Sequence, residues 1–183
     1  TVITNINDGF DFLGWNFRKF KGKLLIQPSR KSKQKVTKSL SRTIKYYHEA
    51  NQELLIIKLN QITRGWAEYH HCACAKKTYA LIDHRLWEML WKWAKRRHPR
   101  KGKKWIKNRY WHPKGNREWS FRTDKAILYQ MMDMPIVRIR SLDLKKNPFL
   151  DGEYFEHRRK QHKKDKETAY LSSTAALSGY YAL

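Results

Sequence analysis

The fold is decided by residues 51–71, NQELLIIKLNQITRGWAEYHH, in which apolar residues recur every three or four positions. Such spacing places one set of side chains on a single helix face: Leu55, Leu59, Ile62, Trp66 and Tyr69. Asn51 is suited to cap the first turn. Gly65 costs the helix about 1 kcal/mol relative to alanine, which indicates close helix packing or close approach of a ligand. The stretch predicts a buried helix from about Gln52 to His71.

A further helix is predicted on each side of this one. After Pro28, Ser29 or Ser32 can cap a helix whose apolar face is Val36, Leu40, Ile44 and Tyr47. A third helix, from about Lys76 to Arg97, has a buried face made of Tyr79, Ile82, Leu86, Leu90 and Trp93. Three amphipathic helices with short connections form a small bundle.

The first of these helices also has a cationic stripe. Its members step by four, three, four and three, so they share one side of the helix: Lys31, Lys35, Lys38, Arg42 and Lys45. No acidic residue occurs between Asp11 and Glu49. The stripe is either a solvated face or a face that follows phosphates, and the absence of interleaved acids leaves both interpretations open.

Composition indicates a polyanionic partner. Lys and Arg number 40 against 16 Asp and Glu, for a formal net charge of +24, while 40% of the residues are hydrophobic, which predicts a packed domain rather than a disordered tail. The chain has neither a transmembrane stretch nor a signal peptide in its sequence, so we expect a cytoplasmic protein without membrane contact. The two cysteines, Cys72 and Cys74, lie too close together in sequence to stabilise the fold through a disulfide.

The ends of the chain are predicted to be different from the bundle. Phe10–Phe17 and Leu24–Ile26 read as a β-hairpin. Between Lys92 and Arg122, aromatic side chains alternate with cations, Lys114-Gly115-Asn116 is typical of a turn between short strands, and residues 136–140 alternate like a half-buried strand. The predicted fold is therefore mainly α: an N-terminal β-hairpin, a three-helix bundle, and a small basic α+β module.

Three motifs resemble the C-terminal part of bacterial group II intron reverse transcriptases. GFDFLGWNF at residues 9–17 resembles the block that closes the palm and opens the thumb. LNQITRGWAEYHH at 59–71 resembles the maturase-specific helix, although Gln61 replaces the usual proline and Glu68 the usual asparagine. WKWAKRRHP at 91–99 resembles the run from the last thumb helix into the DNA-binding region.

The resemblance implies a division of the chain. Residues 1–28 would be the end of the palm and a hairpin leading into the thumb, and 29–98 the thumb or maturase-specific helical domain. Residues 99–146 would be a basic, aromatic-rich module that binds DNA or RNA. Residues 147–183 would be a linker and a poorly ordered tail. MPIVR at 134–138 and NPFLDG at 147–152 resemble the linker that precedes an HNH endonuclease domain in some family members.

No catalysis is predicted for this chain itself. The family's polymerase motif Tyr-x-Asp-Asp, which holds the catalytic metals, does not occur, and no cysteine follows Cys74 to build an HNH site. We therefore expect a non-enzymatic fragment without cofactor, Mg²⁺ being required only by the parent RNA-directed DNA polymerase. His70, His71, Cys72 and Cys74 are not expected to bind metal, because neighbours on a helix diverge by about 100°.

The resemblance implies binding of group II intron RNA to assist its folding and splicing. Target DNA, or a template–primer duplex held together with the palm and fingers, is the alternative partner. The residues expected to contact RNA are Lys31, Lys35, Lys38, Arg42, Lys45, Arg64, Arg96, Arg97, Arg100, Lys101, Lys103 and Lys104. Trp105, Tyr110 and Trp111 either stack on bases or form the core of the small module, with core as the default.

Overall fold

The computed structural model describes residues 3–137 and 142–175, with side chains as far as residue 171. The strands are β1 (Phe10–Phe12), β2 (Trp15–Phe20), β3 (Lys23–Pro28), β4 (Trp111–Lys114) and β5 (Arg117–Phe121). The helices are α1 (Arg30–Tyr46), α2 (Gln52–His70), α3 (Lys76–Arg97), α4 (Lys103–Tyr110) and α5 (Gly152–Ala175), and a 3₁₀ turn covers Met131–Asp133. In these described ranges no helix combines the length and apolarity that crossing a membrane requires.

The N-terminal segment is a three-stranded antiparallel sheet rather than a single hairpin, with strand order β1-β2-β3. The predicted hairpin is β2 with β3, and β1 is added because the chain reverses at Leu13-Gly14. Both residues have positive φ, +46° and +82°, as a two-residue turn of the primed type requires. The Cys74 N–H donates to the Ile26 carbonyl at 3.0 Å, which ties β3 to the loop between α2 and α3.

The three predicted bundle helices are confirmed. Ser29 caps α1 by accepting from the Ser32 N–H at 3.1 Å, and Asn51 caps α2 by accepting from the Leu54 N–H at 2.8 Å. The predicted apolar faces of α1 and α3 are buried except for the half-buried Tyr47. On α2, Leu55 and Leu59 are buried, Ile62 and Trp66 are half-buried, and Tyr69 is exposed.

Residues 103–134 share their core with the bundle. Trp93 at the end of α3 packs edge-to-face against Tyr110 and Phe121, with ring centroids 5.3 and 6.0 Å apart. Polar side chains of the bundle hold the segment as well: Asn60 Nδ2 donates to the Ile127 carbonyl at 2.8 Å, and Asp83 accepts from the backbone N–H groups of the 3₁₀ turn. The bundle and the β4–β5 module therefore have one continuous hydrophobic core.

The β4–β5 hairpin turns where the sequence predicts, but α4 precedes it as a helix that the sequence pattern did not indicate. In α4, Ile106 and Tyr110 lie one turn apart and are both buried. They anchor an otherwise polar helix on the shared core. A strand was also predicted at residues 136–140, but residues 138–140 lie outside the described residues.

For residues 152–175 the prediction of a poorly ordered tail is wrong, because they form α5. Glu68 of α2 accepts hydrogen bonds from the Tyr170 hydroxyl at 2.6 Å and from Lys166 Nζ at 3.0 Å. Burial raises the pKa of Glu68, but the two hydrogen bonds together with the charges of His71 and Lys166 outweigh burial, so that the net pKa lies below its usual value. The helix is thus held by polar contacts, and it has no continuous apolar stripe that periodicity could reveal.

Candidate nucleic-acid interface

The cationic stripe of α1 lies on the exposed side of the helix. All five of its cations are exposed, and they face away from the buried residues Val36, Leu40 and Ile44. The stripe extends about 21 Å from Lys31 to Lys45 at 1.5 Å per residue. None of the ion pairs between described residues involves a member of the stripe. These charges are therefore free to pair with an external anion.

The second group of predicted cations lies at the far end of the stripe. A cavity of about 630 Å³ is lined by Lys45 of α1 together with Arg96 and Arg97 of α3. The fold thus brings the end of the α1 stripe to the basic end of α3, although the two are about fifty positions apart in sequence. The remaining predicted cations are also exposed, on the following loop and the first turn of α4: Arg100, Lys101, Lys103 and Lys104.

Arg97 has a structural role that the sequence did not indicate. Its Nη1 donates to the carbonyl oxygens of His48 at 2.9 Å and Ala50 at 2.7 Å, and its guanidinium lies 4.9 Å from the centre of the Trp93 ring. These contacts close the α1–α2 loop on the end of α3. Arg96 has no such contacts among the described residues, so it is the freer of the two cations.

At its other end the stripe borders a cleft between α1 and α2. This cavity, of about 710 Å³, is lined by Lys31 and Lys35 on one side and by Gly65 and Tyr69 on the other. A Cβ added to Gly65 would meet no atom within 4 Å, so close helix packing does not explain this glycine. Asp11 also lines the cleft, and its carboxylate accepts a hydrogen bond from Asn16 Nδ2 at 2.8 Å.

The cleft contains a hydrogen-bonded group of three side chains. Trp66 Nε1 donates to Ser32 Oγ at 3.1 Å, and Ser32 Oγ lies 3.1 Å from His70 Nε2. Burial lowers the pKa of His70 to about 4, so the imidazole is neutral at pH 7. The rings of Trp15, Trp66 and Tyr69 surround it at centroid distances of 4.3, 4.4 and 4.8 Å. The cationic residues beside the cleft therefore lie next to a hydrogen-bonded group of uncharged side chains.

Arg64 and Trp66 of the motif at 59–71 point to different surroundings. Arg64 is exposed, and its guanidinium lies 5.1 Å from the centre of the Tyr129 ring. Trp66 is half-buried against the core and is held by its hydrogen bond to Ser32. This arrangement leaves Arg64 available for an external contact and assigns Trp66 to packing.

The structure separates the three predicted stacking residues. Tyr110 and Trp111 are 6% and 1% exposed, so both are core residues, which was the default interpretation, and the alternative that they stack on bases is excluded for these two. They face inward because Tyr110 continues the buried side of α4 and Trp111 pairs with Phe121 in the hairpin. Trp105 is 40% exposed, with Lys101 Nζ 5.4 Å from its ring centre, and remains a candidate.

Sequence reasoning did not single out Trp119, which is 43% exposed, with Lys107 Nζ 5.8 Å from its ring centre. Its position within a basic, aromatic segment was the available signal, but alternation in so short a strand cannot distinguish it from its buried neighbours. Among the described residues, no group of three or more His, Cys, Asp and Glu side chains is arranged to hold a metal ion.

The comparison with protein families gives one finding about this surface. A family model described as the group II intron maturase-specific domain matches residues 31–111. The match includes the whole α1 stripe, the motif at 59–71 and the cations from Arg96 to Lys104. No curated protein matches the chain.

Proposed function

We propose that this protein binds group II intron RNA and assists its folding, because residues 31–111 match the group II intron maturase-specific domain and this match ties the chain to group II intron splicing. The observation that carries the proposal is the α1 stripe: five exposed cations on one helix side, opposite the buried face and without internal ion pairs among the described residues.

The stripe and the end of α3 supply the electrostatic part of binding. Cations that neutralise phosphates release condensed counterions, so affinity falls steeply as salt rises. Folded RNA presents phosphates from several helices at once, and a basic surface that is long and rigid favours the folds that align them. Binding energy then shifts the RNA toward its splicing-competent fold, without any chemistry by the protein.

The α1–α2 cleft supplies the close contact with RNA. Lys31 and Lys35 at its edge can hold a phosphate, and Gly65 leaves open space where a side chain would stand. A backbone position without Cβ allows a sugar or phosphate to approach α2 directly. Arg64, one residue earlier, adds an exposed guanidinium that can form paired hydrogen bonds with phosphate oxygens.

We further propose that this chain does not itself catalyse a reaction and needs no cofactor. Polymerisation would belong to a palm that carries the metal-binding aspartates, and Mg²⁺ would act there. The same proposal places the chain in the cytoplasm, where intron RNA is available to it.

The test is filter binding of the chain to a group II intron RNA and to an unrelated structured RNA of equal length, across a series of salt concentrations. We expect a preference for the intron RNA and a steep decrease of affinity with salt. Equal affinity for both RNAs would contradict intron recognition, and affinity that hardly changes with salt would contradict the phosphate contacts.

A matched pair of variants locates the surface. Lys31→Gln, Lys35→Gln and Lys38→Gln together remove three stripe charges, and Lys160→Gln, Lys163→Gln and Lys164→Gln remove three exposed charges from α5. Both triple variants have the same net charge. We expect the stripe variant to lose more affinity and to show a smaller salt slope, by up to about 2–3 in log–log units. Equal losses would make the binding a property of net charge alone.

The alternative is that the same surface holds a template–primer duplex or target DNA. Competition between intron RNA and duplex DNA distinguishes these partners at one salt concentration. Primer extension with an added palm and fingers domain tests the thumb role, because only that role predicts that the chain stimulates synthesis.

A further inference from the structure

Outside the α1–α2 cleft, four tryptophans form a cluster where α3 meets the β4–β5 hairpin. Trp87 and Trp91 of α3 are stacked at 5.7 Å with an interplanar angle of 12°. Trp119 lies 6.0 and 6.1 Å from these two rings, and Trp111 lies 5.2 Å from Trp91. Trp87 and Trp91 are half-buried and Trp119 is exposed, so the cluster reaches the surface.

The cluster borders a cavity of about 200 Å³, which is also lined by Asp83 and Tyr129. This volume exceeds the roughly 30 Å³ share of one water molecule and is smaller than the roughly 300–1,000 Å³ of pockets for drug-sized ligands. With aromatic rings on several sides, the space suits one small, flat group.

Trp111 forms a buried wall of this cavity. Its ring is 1% exposed and lines the cavity. The Asp83 carboxylate offers a hydrogen-bond acceptor in the same wall.

Two cations lie over aromatic rings that line the cavity. Lys107 Nζ lies 5.8 Å from the centre of the Trp119 ring, and the Arg64 guanidinium lies 5.1 Å from the centre of the Tyr129 ring. Aromatic rings next to cations are the combination with which proteins hold single-stranded nucleic acid, because bases stack on the rings and phosphates pair with the cations.

We propose that this cavity takes one unpaired base of the bound RNA, stacked on the exposed ring of Trp119, with Lys107 and Arg64 beside the flanking phosphates. The inference rests on the proposed function and adds a feature of the RNA: a bulged or looped-out nucleotide next to the duplex that the cationic surface holds. Specific RNA recognition commonly uses such unstacked bases.

The experiment compares two hairpins taken from a group II intron RNA, which are identical except for one bulged 2-aminopurine. Affinity and 2-aminopurine fluorescence are measured for the full chain at several salt concentrations. We expect the bulged hairpin to bind about tenfold more tightly, as base–aromatic stacking predicts, with its fluorescence quenched on binding. Equal affinities with intact salt dependence would overturn the base site and leave the proposed function standing. No salt-dependent binding of either hairpin would overturn both.

Substitutions test whether the bulged base occupies this cavity. Trp119→Ala should abolish the preference and the quenching while affinity for the paired hairpin changes less than twofold, and Trp119→Phe, which keeps a ring, should retain part of the preference. Phe20→Ala removes an aromatic ring of similar exposure from β2 and should leave the ratio of the two affinities unchanged. The site is refuted if Trp119→Ala, shown to be folded by circular dichroism, retains the full preference, or if Phe20→Ala is the variant that loses it. If Trp119→Ala retained the preference, the exposed tryptophans would instead be assigned to contact with a protein.

Discussion

Ser32 Oγ lies 3.1 Å from Nε2 of His70, and this contact joins the first turn of α1 to the last turn of α2. It orients the two helices that form the cleft, directly beneath the cations Lys31 and Lys35. The geometry of the proposed RNA surface therefore depends on a buried, neutral imidazole.

Stability should consequently depend on pH through His70. Its pKa is about 4 in the folded chain, below the usual 6.5 of the unfolded chain, so the unfolded state takes up the proton first. Its contribution, up to about 3 kcal/mol, is complete above pH 6.5 and is lost as the pH falls from about 6.5 to about 4. Urea unfolding at several pH values should show this loss.

His70→Phe, which keeps an aromatic ring among Trp15, Trp66 and Tyr69, should have a flatter pH profile between pH 6.5 and 4. His162→Phe changes an exposed histidine on α5 and serves as the control. If both variants have the slope of the unsubstituted chain, protonation of His70 does not govern acid stability.

Gly65→Ala should separate stability from binding. Alanine suits a helix better than glycine, and the added Cβ meets no atom within 4 Å, so the free energy of unfolding should rise by about 0.5–1 kcal/mol. RNA affinity should decrease, because the methyl group projects into the space we assign to RNA. Thermal melts and filter binding measure the two effects. Gly152→Ala, also in open space at the start of α5, is the matched control, and unchanged affinity in Gly65→Ala would mean that RNA does not approach α2 here.

Arg96 and Arg97 should differ although they are neighbours. Arg97→Ala removes two hydrogen bonds to the α1–α2 loop and should lower the free energy of unfolding by about 1 kcal/mol or more. Arg96→Ala should leave stability within about 0.5 kcal/mol and reduce the salt slope of RNA binding by about 1. Urea titrations and salt-dependent binding on the same preparations test both statements, and identical behaviour of the two variants would contradict the division of roles.

The attachment of α5 should depend on Glu68. Tyr170→Phe removes the hydroxyl that donates to Glu68 at 2.6 Å, and we expect faster amide hydrogen exchange along α5 with little change in the bundle. A double-mutant cycle with Glu68→Gln should give a coupling of roughly 0.5–1 kcal/mol, since Glu68 is partly exposed. Unchanged exchange in residues 152–171 would show that other contacts hold the helix.

Local patterns were sufficient for the bundle. Asn51 was predicted as a cap, and Ser29 as one of two candidates beside Ser32, because short polar side chains accept from the first turn. The three helices were predicted from apolar spacing. The same periodicity predicted that the five α1 cations would share a side, and their exposure follows from the burial of the opposite side.

Features that depend on tertiary contacts could not be predicted from such local patterns. The burial of Tyr110 and Trp111 follows from the docking of α4 and the hairpin on α3, and nothing in their local sequence distinguishes them from the exposed Trp105 and Trp119. Helix α5 lacks an apolar stripe, and two of its side chains donate hydrogen bonds to Glu68, which is far away in sequence. Lys45 and Arg96 line the same cavity, and their proximity likewise depends on how the helices pack.

The core that residues 103–134 share with the bundle has a consequence for synthesis of the protein. The ribosome releases α1, α2 and α3 first, while Tyr110 and Phe121, which pack against Trp93 of α3, have still to emerge. A nascent chain released only as far as residue 100 therefore exposes apolar surface, and it completes its core only when the hairpin and the following turn have emerged. Slow translation through the segment that follows should lengthen the time during which that surface is open to aggregation.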